Sequence, residues 1–188
     1  MARPKEFDVD VAVEAAAGVF RDHGYEGTSA AMLVDAMGIG RQSLYDTFGD
    51  KWGVYLAAMR QYCSAETRAH CDLLKSGPKA IDGIRAMFDR VVVEAAHGCL
   101  GLVSIVEFGC EKPELVEIRD KFGGFMSACL METLVTAREQ GDVSSEHNLD
   151  HLITYLFQMI FSIRLTARSG AGSDHVAAMA NYALGALR

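Results

Sequence analysis

Proline is scarce in this chain: 188 residues contain three, at Pro4, Pro78 and Pro113. Alanine is abundant, and no segment alternates with period two through β-branched residues, so an all-α fold is expected. No stretch reaches the ~18 uninterrupted apolar residues that cross a bilayer. The start, Met1-Ala2-Arg3-Pro4-Lys5-Glu6, lacks the apolar segment of a signal peptide. A cytoplasmic protein with no membrane partner is the expectation. The five cysteines (Cys63, Cys71, Cys99, Cys110, Cys129) are odd in number and no pair has two-residue spacing, which suggests neither a disulfide framework nor a zinc knuckle. Reduced thiols are the default. Phosphate-cradling glycine loops, nucleophile elbows and paired-carboxylate signatures are missing too, so enzymatic activity and a bound cofactor have no support. Basic residues are outnumbered 18 to 25, a net charge of −7 that taken alone argues against a polyanionic partner.

Half the residues are hydrophobic and 23% are charged, enough to bury an extensive core and to exclude a disordered chain. The length fits one ordinary domain or two small ones sharing a core. Val13, Ala16, Ala17 and Phe20 recur at helical spacing and predict a first helix over about 9–23, ended by Gly24. Thr28 or Ser29 caps a short helix through Met37, and another covers Arg41–Phe48. Only Gly38-Ile39-Gly40 separates the two, a connection of helix-turn-helix length. Ile39 should plug the angle between them, with Leu44 and Phe48 facing the same core as Phe20. Asp50 can cap a long helix to about Lys75, closed by Ser76-Gly77-Pro78. Further helices are expected at about 79–96, 100–108, 113–140, 149–169 and 174–187, about nine in all.

The residues Val13-Glu14-Ala15-Ala16, Phe20, Gly24-Tyr25, Thr28-Ser29, Ala36-Met37-Gly38-Ile39, Leu44-Tyr45, Phe48 and Lys51 together resemble the N-terminal DNA-binding signature of the TetR family of transcriptional repressors. The resemblance covers about residues 9–55. A second stretch, from Gly98-Cys99-Leu100 to Glu107, is similar to a Gly-Cys-Leu segment followed by Glu in the ligand-sensing domain of one branch of that family. The resemblance implies a helix-turn-helix domain over residues 1–50 and a helical effector-binding and dimerisation domain over 51–188. It also implies a homodimer that sets one short recognition helix per subunit in the major groove of double-stranded operator DNA.

Elementary chemistry agrees with that placement. A helix of about eight residues can set only its first turn against base edges, here Arg41, Gln42 and Ser43. Arg41 can donate twice to guanine and Gln42 can pair with adenine. Tyr45, Thr47 and Lys51, with Thr28 or Ser29 and the amides of the second helix, can reach phosphates and fix register. Residues 1–50 nevertheless hold four basic groups against nine acidic ones. With Arg3, Lys5, Arg41 and Lys51 the only cations expected near DNA, nonspecific affinity should be weak and salt dependence shallow. Asp46 would repel phosphate unless it accepts a bond from cytosine.

Beyond the reading head, Phe88, Val92, Leu102, Ile105 and Phe108 are candidates to line a pocket for a small apolar or aromatic effector. Phe125, Met126, Cys129, Tyr155 and Met159 complete the set, although helical spacing of such residues more often means core. Glu107 lies among apolar neighbours, where an arginine or a cationic ligand would help unless it is solvated or salt-bridged. Cys99, at the expected start of a helix, is a candidate thiol sensor, with inert packing as the plainer reading. His147 and His151 are four apart but lack the spacing of a zinc protease, so solvated histidines are expected. The apolar circumference of the 149–169 helix and the small residues of the last helix suggest dimerisation through this pair. The reading is thus a dimeric repressor released from a palindromic operator by a small effector. A repressor acting through Cys99 is the alternative, and a helical ligand carrier or enzyme is the rival outside DNA binding.

Overall fold

The computed structural model describes residues 7–188. Nine α-helices and one 3-10 turn are found among them: α1 (Val9–His23), α2 (Ala30–Met37), α3 (Arg41–Phe48), α4 (Lys51–Leu74), α5 (Ala80–Val93), the 3-10 turn Ala95–His97, α6 (Leu100–Phe108), α7 (Pro113–Glu139), α8 (Leu149–Arg168) and α9 (Ser173–Gly185). The all-α expectation and the helix count hold. The caps explain why α1, α3 and α6 begin and end at the expected residues. Asp8 accepts the amides of Asp10 and Val11 at the start of α1, and Gly24 ends it by donating to Phe20. The expected 79–96 helix divides instead: Glu94 ends α5, and Ala95–His97 tightens into the 3-10 turn.

The chain forms two compact units. The first comprises residues up to Ala65 together with Cys99–Lys121; the second comprises Glu66–Gly98 and Phe122–Arg188. A division after residue 50 follows the end of the helix-turn-helix, whereas the compact units divide within α4, because the first also takes in α6, which packs on α1. In the first unit, Ala12, Val13, Ala16 and Phe20 of α1 are buried with Leu33, Ile39, Leu44, Val54 and Tyr55. Tyr25, Trp52, Tyr55 and Phe108 form an aromatic cluster, with ring centroids 5.2–5.8 Å apart. Most of these pairs meet edge-on or tilted, as ring quadrupoles favour.

The second unit is built around Ile84, Met87, Phe88, Leu130, Leu134, Leu156, Ile163 and Ala183, contributed by α5, α7, α8 and α9. Beside this core lies a charged cluster. Arg164, only 4% exposed, donates to Glu66 Oε2 (2.9 Å) and to the Gly98 carbonyl (3.2 Å). Arg90 pairs with Glu66 and with Glu94 at 2.9 Å. Burial alone would raise the Glu66 carboxyl, but the hydrogen bond from Arg90 and the charges of Arg164 and Arg90 outweigh it and hold Glu66 below the usual carboxylate range. His70 is also lowered, to about 4, by burial first and by Arg90 second, with Glu66 opposing. It is therefore neutral at pH 7, and its Nε2 accepts from Arg90 Nη1 at 3.2 Å because a guanidinium can only donate.

One expectation is corrected here. Cys71 and Cys129 are joined by a disulfide with Cα atoms 5.8 Å apart, so those two thiols are not reduced. Their 58-residue separation belongs to no short cysteine motif; only the packing of α4 against α7 brings them together.

Candidate nucleic-acid interface

The turn between α2 and α3 is set by its glycines and one isoleucine. Gly38 adopts the left-handed conformation (φ 64°, ψ 28°) and its amide donates to the Asp35 carbonyl, which stops α2. A side chain here would pay the steric cost of that region. Ile39 then turns inward, 7% exposed, and Gly40 starts α3 in extended backbone. With Leu44 buried beneath α3, Arg41, Gln42, Tyr45 and Asp46 are left on the exposed side, and Ser43 and Thr47 are half-buried. Gln42 Nε2 donates to Asp46 Oδ1 at 2.8 Å, one helical turn on. One oxygen of the Asp46 carboxylate is thus engaged within α3 itself.

The approach to α2 is organised from within. Thr28 is buried, and its hydroxyl donates to the Gly24 carbonyl at 2.6 Å. Of the pair Thr28 and Ser29, only Ser29 is exposed, and it caps α2 by accepting the Met32 amide. Lys51 turns its ammonium inward to donate to the carbonyls of Tyr25 (2.9 Å) and Thr28 (3.0 Å), 4.1 Å from the Tyr25 ring centroid. Sequence spacing could place Lys51 beside this turn but could not show that two carbonyls claim it. Arg3 and Lys5 lie outside the described residues.

Glu107 is bonded to backbone. Its carboxylate accepts the Tyr25 amide on both oxygens, at 3.0 and 2.9 Å. Gly24 makes this possible: its φ is 71°, and a Cβ there would collide with Glu107 Oε1. The end of α6 is thereby fastened to the turn that leads from α1 into α2. The 82-residue separation left no local signal for this bond.

The other candidates fall in both units. Leu102, Ile105 and Phe108 belong to the first unit, where Phe108 sits in the aromatic cluster. In the second, Phe88 and Met126 are core; Val92, Cys129 and Met159 pack against it, and Cys129 is disulfide-bonded. Phe125 and Tyr155 are exposed. Two clefts of the second unit, of about 260 and 360 Å³, are lined by none of these ten residues. Cys99 caps α6, its Sγ accepting the Leu102 amide at 3.4 Å. Among the described residues no three His, Cys, Asp or Glu side chains converge as a metal site would require, and no helix is long and apolar enough to cross a membrane.

A short helix that exposes Arg41 and Gln42, pinned by a glycine-bounded turn over a three-helix core, defines a helix-turn-helix DNA-binding head. Comparison with known proteins is specific on this point. Residues 12–58 match the family described as bacterial regulatory proteins, tetR family. The chain is 31% identical over 182 residues to the uncharacterized HTH-type transcriptional regulator YezE of Bacillus subtilis, covering 94% of each chain. It is 24% identical to the HTH-type transcriptional repressor ComR of Escherichia coli, over 97% of this chain and 90% of that one. Among solved structures, a cysteine mutant of the TetR family transcriptional regulator CifR complexed with 26-base-pair double-strand operator DNA superposes with a TM-score of 0.78 at 26% identity, covering 99% of this chain and 100% of that one. The chain belongs to the TetR family. It is a DNA-binding transcriptional regulator rather than an enzyme.

Proposed function

We propose that this regulator is a cytoplasmic, homodimeric repressor that holds a palindromic operator and leaves it when a small apolar or aromatic molecule binds within residues 51–188. The observation that carries this is the exposed first turn of α3, with Arg41 and Gln42 outward over a buried Leu44. Arg41 and Gln42 read base edges; Ser43 stands beside them. Ser29, Tyr45 and Thr47 reach phosphate oxygens, and Lys51 adds the one ammonium proton its two carbonyls leave over. Thr28 serves by fixing the turn from inside. Dimerisation through α8 and α9 would bury the exposed Tyr155, Leu165 and Tyr182. A dimer spaces its two heads by about one helical turn of DNA or a multiple, which is why a palindrome is the matching target.

Selection of bound duplexes from sheared genomic DNA of the source organism tests the whole reading. Recovery of fragments sharing an inverted repeat, retained as two chains per repeat, is the expected result. Recovery without a shared repeat would reject it.

A second reading rests on Cys99. Its thiol sits at the start of α6 and accepts the Leu102 amide. In that case alkylation releases DNA from the parent protein and leaves Cys99→Ser bound. Equal release of both would exclude Cys99 as the trigger.

A further inference from the structure

The disulfide ties Cys71, one turn before the end of α4, to the middle of α7. Both side chains are half-buried at the margin of the second unit's core, so a small reagent can reach them. Thiol–disulfide exchange with a small disulfide is a chemistry that closes and reopens such a bond without any further oxidant. In a reducing compartment, a bond of this kind is more often transient than structural. The bond also has something to act on. One turn beyond each cysteine, a cleft of about 260 Å³ opens between Leu74, Lys75 and Ser76 on one side and Thr133, Thr136 and Gln140 on the other. A closed bond limits how far these two helices can part there. At its other end, α4 begins with Lys51, which holds the carbonyls of the turn before α2.

We propose that Cys71 and Cys129 are a reversible redox pair through which an oxidised low-molecular-weight thiol changes operator affinity. One protein thiolate attacks the small disulfide, forming a mixed disulfide and expelling one small thiolate. The second cysteine then attacks the protein sulfur of that mixed disulfide and expels the other. Two protein thiols give up two electrons and two protons, and the small disulfide becomes two thiols; an excess of small thiol runs the exchange backwards. The proposal rests on the operator reading above and is separate from Cys99, which takes no part in the bond.

The test equilibrates the full chain in buffers of graded reduced-to-oxidised glutathione ratio, alkylates the remaining thiols and maps them by mass. Operator affinity is measured in parallel. The Cys71 and Cys129 peptides should lose alkylation together in one two-electron transition. Affinity should differ at least fivefold between its ends in the parent and in Cys99→Ser, and stay flat in Cys71→Ser and Cys129→Ser. Cysteines that remain open, or remain closed, at every ratio would overturn the proposal, as would a flat affinity in the parent. Absence of operator binding in both redox states and in every folded variant would instead reject the operator reading, and this proposal with it.

Discussion

Acidification should weaken the second unit through His70, and the size of the effect follows from its surroundings. An unfolded histidine titrates near 6.5, whereas burial and Arg90 hold folded His70 near 4. Below pH 6.5 the unfolded chain takes up a proton that the folded chain refuses, so stability falls as the pH drops and the loss levels off near pH 4. The full shift of about 2.5 units corresponds to roughly 3 kcal/mol, of which about 2 kcal/mol is already lost at pH 5. Glu66 adds a loss of the same sign at lower pH, since its folded carboxyl is depressed and its benefit disappears on protonation. Urea titrations at pH 7.5 and pH 5, compared with His70→Gln, isolate the histidine. The variant should lose about 2 kcal/mol less than the parent between these two pH values. Equal losses would show that His70 is not held neutral by this cluster.

Three other outcomes follow from the geometry. Glu107→Ala removes both acceptors of the Tyr25 amide; because the carboxylate is largely exposed, thermal denaturation should show a loss of only about 1 kcal/mol, with altered operator affinity as the more informative readout. An unchanged affinity would mean that this fastening does not reach the reading head. Gly24→Ala meets both a positive φ and the Glu107 carboxylate, so it should cost about 1–2 kcal/mol by the same measurement, and a neutral result would contradict the close approach. Reducing the disulfide releases a crosslink spanning 58 residues, worth roughly 4 kcal/mol on loop-closure grounds, and should lower Tm by on the order of 10 °C. A Tm indifferent to reductant would mean that the two helices are held equally well without the bond.

The helices were legible because their signals are local. Ser29 and Asp50 accept backbone amides at the starts of α2 and α4, Gly24 and Gly38 stop α1 and α2, and the short Gly38-Ile39-Gly40 link could only be a tight turn. The exposure of Arg41 and Gln42 followed from burying Leu44 at helical spacing. What was hidden depends on contacts between distant segments. Glu107 on Tyr25, Cys71 on Cys129 and Arg164 on Glu66 join residues 82, 58 and 98 positions apart, and no periodicity encodes such meetings. The apolar pattern around Phe108 did not show that its ring meets Tyr25, Trp52 and Tyr55, which come from distant segments. Lys51 was placed beside the correct turn, but its inward bonds arise from a backbone that bends carbonyls towards it.

The central claim is that Arg41, at the first residue of α3, reads a base. Operator binding by Arg41→Ala, measured against the selected repeat and against the same repeat with each position changed in turn, tests it most directly. The account predicts a loss of about 1–3 kcal/mol on the parent repeat and relaxed preference at one position of each half-site. Parental affinity and unchanged preference at every position would contradict it.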